Sequence, residues 1–160
     1  MKRRMLSVLL LACMIVGMLP ATAFAANGDR LPFTDVKQAD WFYDEVQYVF
    51  ENGLMSGTAE AKFQPNATLT RAMLVTVLYR LEGEPAASGS PFDDVGAGQW
   101  YTKAVTWAAE NGIVSGYGNR KFGPAQAITR EQLAAILYRY AQHKGYQTSA
   151  EASLAAFRDA

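Results

Sequence analysis

Residues 33–80 read FTDVKQADWFYDEVQYVFENGLMSGTAEAKFQPNATLTRAMLVTVLYR, and residues 92–139 read FDDVGAGQWYTKAVTWAAENGIVSGYGNRKFGPAQAITREQLAAILYR. Laid over each other at an offset of 59 positions, the two stretches align without a gap. Phe33, Asp35, Val36 and Trp41 fall on Phe92, Asp94, Val95 and Trp100. Asn52-Gly53, Ser56-Gly57, Lys62-Phe63 and Pro65 fall on Asn111-Gly112, Ser115-Gly116, Lys121-Phe122 and Pro124. Thr70-Arg71 and Leu78-Tyr79-Arg80 fall on Thr129-Arg130 and Leu137-Tyr138-Arg139. Gly, Pro, Trp and Arg recurring in one order over about fifty residues mark a duplicated supersecondary unit.

Each unit reads as helix, loop, helix. After a loop carrying Phe33 to Val36, Asp40 is placed to cap a helix over Trp41 to Glu51, whose apolar residues Phe42, Val46, Val49 and Phe50 recur at helical spacing. Asn52-Gly53 ends it. A glycine-bearing connection runs from Leu54 to Pro65, and Thr70 then caps a second helix with an apolar stripe of Leu74, Val77, Leu78 and Leu81, stopped by Gly83. The second unit predicts helices near Trp100 to Glu110 and Arg130 to Lys144, with Thr129 and Gln132 spaced as a capping box. The fold class is therefore all-α. Two helices cannot bury their apolar faces alone, so the units must pack on one another or on further copies.

The flanks set the domain plan. Lys2, Arg3 and Arg4 precede an apolar run from Met5 to Leu19, then Pro20 and small residues ending Ala23-Phe24-Ala25. This pattern reads as a secretory signal over residues 1–25, cleaved after Ala25. A membrane-spanning helix needs about 20 apolar residues, so no span is expected once the signal is removed. Repeat 1 with its linker occupies 26–91, repeat 2 occupies 92–145, and 146–160 is a linker followed by Phe157-Arg158-Asp159, the opening of a third unit. The linker Glu84 to Pro91 is rich in Pro, Ala, Ser and Gly.

Of 15 basic and 15 acidic residues, three basic ones leave with the signal, so the remaining 135 residues carry a net charge of −3. Such a surface has no global attraction for nucleic acid. Cys13, the sole cysteine, lies inside the signal, which leaves no thiol for a disulfide or a metal after cleavage. Leu10-Leu11-Ala12-Cys13 has the outline of a lipidation site, but the apolar run continues past it and a second cleavage site follows.

Catalytic patterns are sparse. His143 is the only histidine and sits at the end of the last helix, where it caps carbonyls or faces water. Spacing for a metal site or a phosphate-cradling loop is lacking, and no cofactor is implied. Asp93-Asp94 is a carboxylate pair, but only Asp94 has a counterpart, Asp35, and its position ahead of a helix suits loop capping. A non-catalytic module follows.

The ordered series Phe-x-Asp-Val, Trp, Ser-Gly, Phe-x-Pro, Thr-Arg and Leu-Tyr-Arg resembles the S-layer homology family from Phe33 to about Tyr140, with a remnant at Phe157. The resemblance implies units that usually occur in threes as a pseudo-threefold spindle, of which this sequence supplies part. It also implies a secreted protein of the bacterial cell wall or S-layer. Grooves between neighbouring units would hold peptidoglycan-linked secondary cell-wall polysaccharide, commonly bearing pyruvate ketals. The usual Thr-Arg-Ala-Glu stands here as Thr-Arg-Ala-Met at 70–73 and Thr-Arg-Glu-Gln at 129–132, so the acidic residue is missing from its normal place. With two units and a stub, at least one groove is left open or is built with another chain, by self-association or with other proteins of the family.

The residues themselves point the same way. Arg71 and Arg130 follow the Thr70 and Thr129 caps at the first helical position, where the helix macrodipole disfavours a cation by about 0.3–1 kcal/mol. Free N–H groups beside a guanidinium suit an anion such as a carboxylate, which Arg holds in bidentate fashion. The alternative is a structural ion pair with Asp35, Asp94 or another loop carboxylate. Gly57 and Gly116 let the backbone approach a sugar or satisfy turn geometry, and both roles are compatible. Tyr117 is placed to stack on a sugar ring, although its counterpart is Thr58. Trp41 and Trp100 are expected in the core or at a subunit interface in preference to serving as sugar platforms.

Overall fold

A computed structural model describes residues 31–149. The expected signal segment with Cys13, and the expected opening of a third unit at Phe157, lie outside the described residues. The chain divides into Met1–Pro32 and Phe33–Ala160, and nearly all described residues belong to the second. The described residues are all-α: α1 spans Tyr43–Glu51, α2 Arg71–Leu81, α3 Thr102–Glu110 and α4 Arg130–His143, with only isolated β-bridges besides.

The second helix of each repeat begins where the sequence places it. The Thr70 hydroxyl accepts from Met73 N at 3.2 Å, and Thr129 accepts from Gln132 N at 3.3 Å. The capping box at Thr129 is only half made, because the Gln132 side chain turns away to accept from Arg71 and Tyr117. The first helix of each repeat starts later than the periodicity suggests. The Asp40 carboxylate accepts from Lys37 N behind it, closing a turn, and Phe42 occupies the cap position without a side-chain bond. In repeat 2, Thr102 does the turn-closing, accepting from Gln99 N and donating to Gly96 O.

That delay takes both tryptophans out of the core, one of the two places expected for them. Trp41 and Trp100 lie in the turns ahead of α1 and α3, off the apolar stripe, and are 88% and 59% exposed. Each ring packs edge-on against its neighbour, Phe42 or Tyr101, and neither belongs to the core.

Asp35 and Asp94 perform the same task in both repeats. Asp35 accepts from Phe63 N and Gln64 N at 3.0 and 2.9 Å, and Asp94 from Phe122 N and Gly123 N at 2.8 Å each. Each carboxylate ties the loop before one helix to the loop before the next. The Phe63 N–H, above all, lowers the Asp35 pKa. Burial raises that of Asp94, but the Phe122 and Gly123 N–H groups outweigh it and the net shift is downward.

The glycines ahead of these loops are fixed by packing. A Cβ on Gly116 would stand 2.3 Å from Lys121 O and 2.8 Å from the Phe92 ring; on Gly57, which also has φ +81°, it would stand 2.6 Å from Lys62 O.

The core lies where α2 of repeat 1 meets α3 of repeat 2. Val75, Val105, Ala108, Ile113 and Phe122 are wholly buried, and the Tyr79 ring lies 5.7 Å from Trp107. His143 packs edge-on against Trp107 at 5.9 Å. The far ends of α2 and α4 are tied by Glu82, which accepts from the Tyr140 hydroxyl and from Lys144 Nζ. The Tyr140 bond foremost, then Lys144, lowers the Glu82 pKa.

Because the repeats share one plan, their unequal burial is informative. Leu78 and Tyr79 on α2 are 5% exposed, whereas their counterparts Leu137 and Tyr138 on α4 are 43% and 50% exposed. Trp107 on α3 is 4% exposed, whereas its counterpart Tyr48 on α1 is 63% exposed. Among the described residues one helix interface is thus buried, while the matching faces of α4 and α1 are exposed.

Candidate functional site

Arg71 starts α2 in repeat 1, yet its partners are in repeat 2. The backbone hands it across: Ile128 N donates to Leu69 O, Arg71 N to Gln126 O and Ala72 N to Pro124 O, all at 3.0–3.1 Å. Two of the N–H groups that a helix start leaves open are thereby satisfied. The side chain then enters the loop of repeat 2. Its Nε donates to Phe122 O at 3.0 Å, one Nη to Ser115 O at 3.3 Å and the other to Gln132 Oε1 at 3.4 Å. The guanidinium carbon lies 4.5 Å from the Tyr117 ring centre and 4.7 Å from that of Phe122.

Arg71 is only 5% exposed, and among the described residues it makes no ion pair. The structural pairing with Asp35 or Asp94 does not form, since both carboxylates are turned to backbone N–H groups. Among the described residues, three of the five guanidinium N–H donors have acceptors, leaving two. A cation this buried is costly unless opposite charge compensates it.

The guanidinium forms one wall of a groove of about 190 Å³ in repeat 2, with Ser115, Gly116, Tyr117, Gln132 and Arg139 among the others. Among the described residues no Asp or Glu lines it, and the exposed Arg139 supplies a second cation. The site therefore has two positive groups, backbone carbonyls, one amide and an aromatic ring. Tyr117 is half exposed, with Arg71 stacked on its ring and its hydroxyl donating to Gln132 Oε1. The arrangement can hold an anion of carboxylate size, and no His, Asp or Glu among the described lining residues stands ready as a base for the Ser115 hydroxyl.

The equivalent groove in repeat 1 is lined by Ser56, Gly57, Thr58, Met73 and Arg80, and Trp100 reaches it from repeat 2. Gly57 and Gly116 thus occupy matching positions in two grooves. Thr70 acts through the cap that starts α2. Thr129 and Arg130 are exposed at the start of α4 and line neither groove. Gln132, Arg80 and Arg139 line these grooves as well, beyond the site residues expected from the sequence. The two arginines were visible as a repeated Leu-Tyr-Arg, whereas nothing local marks Gln132 as facing Arg71, 61 positions away. Among the described residues, no group of His, Cys, Asp and Glu could hold a metal ion, and no helix is long and apolar enough to cross a membrane.

These features define a tandem-repeat helical module with an anion-suited groove at the seam between its repeats. The chain belongs to the S-layer homology domain family, which matches residues 32–72 and 91–134. It is a bacterial cell-surface protein. It is 34% identical over 136 residues to an endoglucanase of Bacillus sp. strain KSM-635, which is 84% of this chain and 14% of that protein. It is 30% identical over 127 residues to the S-layer protein sap of Bacillus anthracis, 79% of this chain and 15% of that one. With a cellulosome-anchoring protein of Acetivibrio thermocellus it shares 27% identity over 121 residues, 72% and 27% of the two chains. The chain spans about a seventh of the first two relatives, so the endoglucanase likeness assigns it no catalytic activity.

Proposed function

We propose that this chain fastens a secreted protein non-covalently to the bacterial wall by binding peptidoglycan-linked secondary cell-wall polysaccharide. The carboxylate of the sugar, such as a pyruvate ketal, sits against Arg71 in the groove of repeat 2. The observation that carries this reading is Arg71, 5% exposed, with free donors, no ion pair and no acidic neighbour in the groove lining among the described residues. A carboxylate there turns an uncompensated charge into a charge-assisted pair.

The test is co-sedimentation with purified pyruvylated wall polysaccharide. Wild-type chain pellets with it, and removing the ketals with mild acid releases it. Arg139→Ala, an exposed change that leaves the fold alone, and Arg71→Met, which keeps an apolar stem between Tyr117 and Phe122, each weaken binding by about tenfold or more. Equal pelleting on ketal-free wall, or full binding by both folded variants, overturns the proposal.

A second reading concerns assembly. Leu137 and Tyr138 on α4, and Tyr48 on α1, are exposed where their counterparts are buried. One further repeat, from this chain or another of the family, would cover both faces and complete a three-part spindle. Arg130 would then enter the groove of that repeat as Arg71 enters the groove of repeat 2.

A further inference from the structure

Asn52-Gly53 ends α1 and Asn111-Gly112 ends α3, and the two pairs are held alike. The Asn52 side-chain amide donates to Tyr48 O at 2.8 Å, and that of Asn111 to Trp107 O at 2.8 Å. Gly53 N donates to Phe50 O at 3.0 Å and Gly112 N to Ala109 O at 3.1 Å. The asparagines have ψ 7° and 9°, and the glycines φ +69° and +68°. Asn followed by Gly is chemically labile, because glycine carries no side chain to hinder attack by its backbone nitrogen on the asparagine amide.

The helices that hold the two pairs differ. Among the described residues α3 packs on α2, whereas α1 packs closely on no other helix. α3 buries five consecutive residues, Ala104 to Ala108, and runs into buried Ile113 and Val114. α1 buries only Tyr43 and Val46 and runs into half-buried Leu54 and Met55. The residues whose carbonyls hold the amides show the same contrast, with Tyr48 63% exposed and Trp107 4% exposed. At ψ near zero the glycine nitrogen is turned away from the asparagine Cγ, so reaction waits on opening of the helix end. Opening costs less where fewer apolar contacts are broken.

We infer that Asn52 is a self-modifying site, which deamidates while Asn111 is protected, and that the change loosens repeat 1. Once the end of α1 opens, Gly53 N gives its proton to water and bonds to Asn52 Cγ. The Cγ–Nδ2 bond breaks, ammonia leaves and a succinimide closes. Water then adds to one imide carbonyl and breaks its C–N bond, giving aspartate or isoaspartate with no change of oxidation state. A carboxylate replaces the donor to Tyr48 O at the negative end of α1, where the macrodipole disfavours an anion. At the same end Leu54 N and Met55 N donate to Val49 O, and Leu54 O accepts from Arg80, so the disturbance passes into the connection that follows. The inference takes nothing from the anchoring proposal.

The experiment ages the full chain in warm, mildly alkaline buffer and follows each Asn-Gly peptide by mass spectrometry, reading the mass gained as amide becomes acid. Asn27-Gly28, outside the described residues, is scored separately. In the folded chain Asn52 reacts at least about fivefold faster than Asn111, the ratio that about 1 kcal/mol of opening free energy supplies. In urea, where neither helix persists, the two react at matching rates. Asn52→Asp, which installs the product, lowers the Tm by about 2–6 °C. Equal rates in the folded chain, no reaction at Asn52, or a preference for Asn52 that persists in urea overturns the inference. An Asn52→Asp chain with the wild-type Tm overturns the loosening of repeat 1.

Discussion

Replacing Asp94 by Asn tests the chain of cause from loop to groove. The carboxylate holds Phe122 N and Gly123 N at 2.8 Å each, and Phe122 O in turn accepts from Arg71. An amide keeps one acceptor oxygen but presents N–H₂ to the second backbone N–H, so one charge-assisted bond is lost and the other weakened. Hydrogen bonds to charged groups contribute about 1.5–3 kcal/mol each, and partial exposure of Asp94 puts the net loss near 2 kcal/mol. For a domain of this size that lowers the Tm by about 6–10 °C. The pH dependence follows from the depressed pKa of Asp94. Its stabilisation is fully present above the unfolded aspartate value of about 3.9 and fades as pH falls through the lower folded value. Wild-type stability therefore declines from about pH 4 downward, and Asp94→Asn declines less steeply over that window. Glu82 and Asp35, also lowered, keep the variant's curve from being flat. Urea denaturation between about pH 2 and 7 measures both effects. A Tm within about 1 °C of wild type, with parallel pH curves, would show that the carboxylate is no clamp.

Two further outcomes are expected. Gly116→Ala forces a methyl group against Lys121 O and the Phe92 ring and costs about 2–3 kcal/mol in urea denaturation, since neither neighbour is the end of a flexible chain. Changing Leu137 and Tyr138 together to Gln leaves the Tm near wild type, whereas the same change at the buried Leu78 and Tyr79 costs about 3–5 kcal/mol or unfolds the chain. Sedimentation velocity with an added S-layer homology repeat then shows whether the first pair of changes abolishes its capture.

Much of this architecture was legible in the sequence because the duplication supplies its own control. Thr70 and Thr129 were readable as caps from the residue type and the apolar stripe that follows, and both form the expected bond. The loop role of Asp94 was legible as well, although not that its bonds reach residues 28 and 29 positions on. A core place for the tryptophans looks open in the sequence because helical spacing can be extended backward from Tyr43 without a break, and nothing local says that Asp40 turns its carboxylate toward Lys37. The surroundings of Arg71 were least legible. Its three side-chain acceptors stand 44 to 61 positions away, and only the docking of α2 on repeat 2 brings them together.

That cross-repeat reach has a consequence for how such an anchor wears. A receptor pocket made by two neighbours exists only while the neighbours stay joined, so whatever occupies it braces the joint, by an amount that grows with ligand concentration over Kd. If the chain binds wall polysaccharide as proposed, bound molecules will resist proteases and heat better than unbound ones.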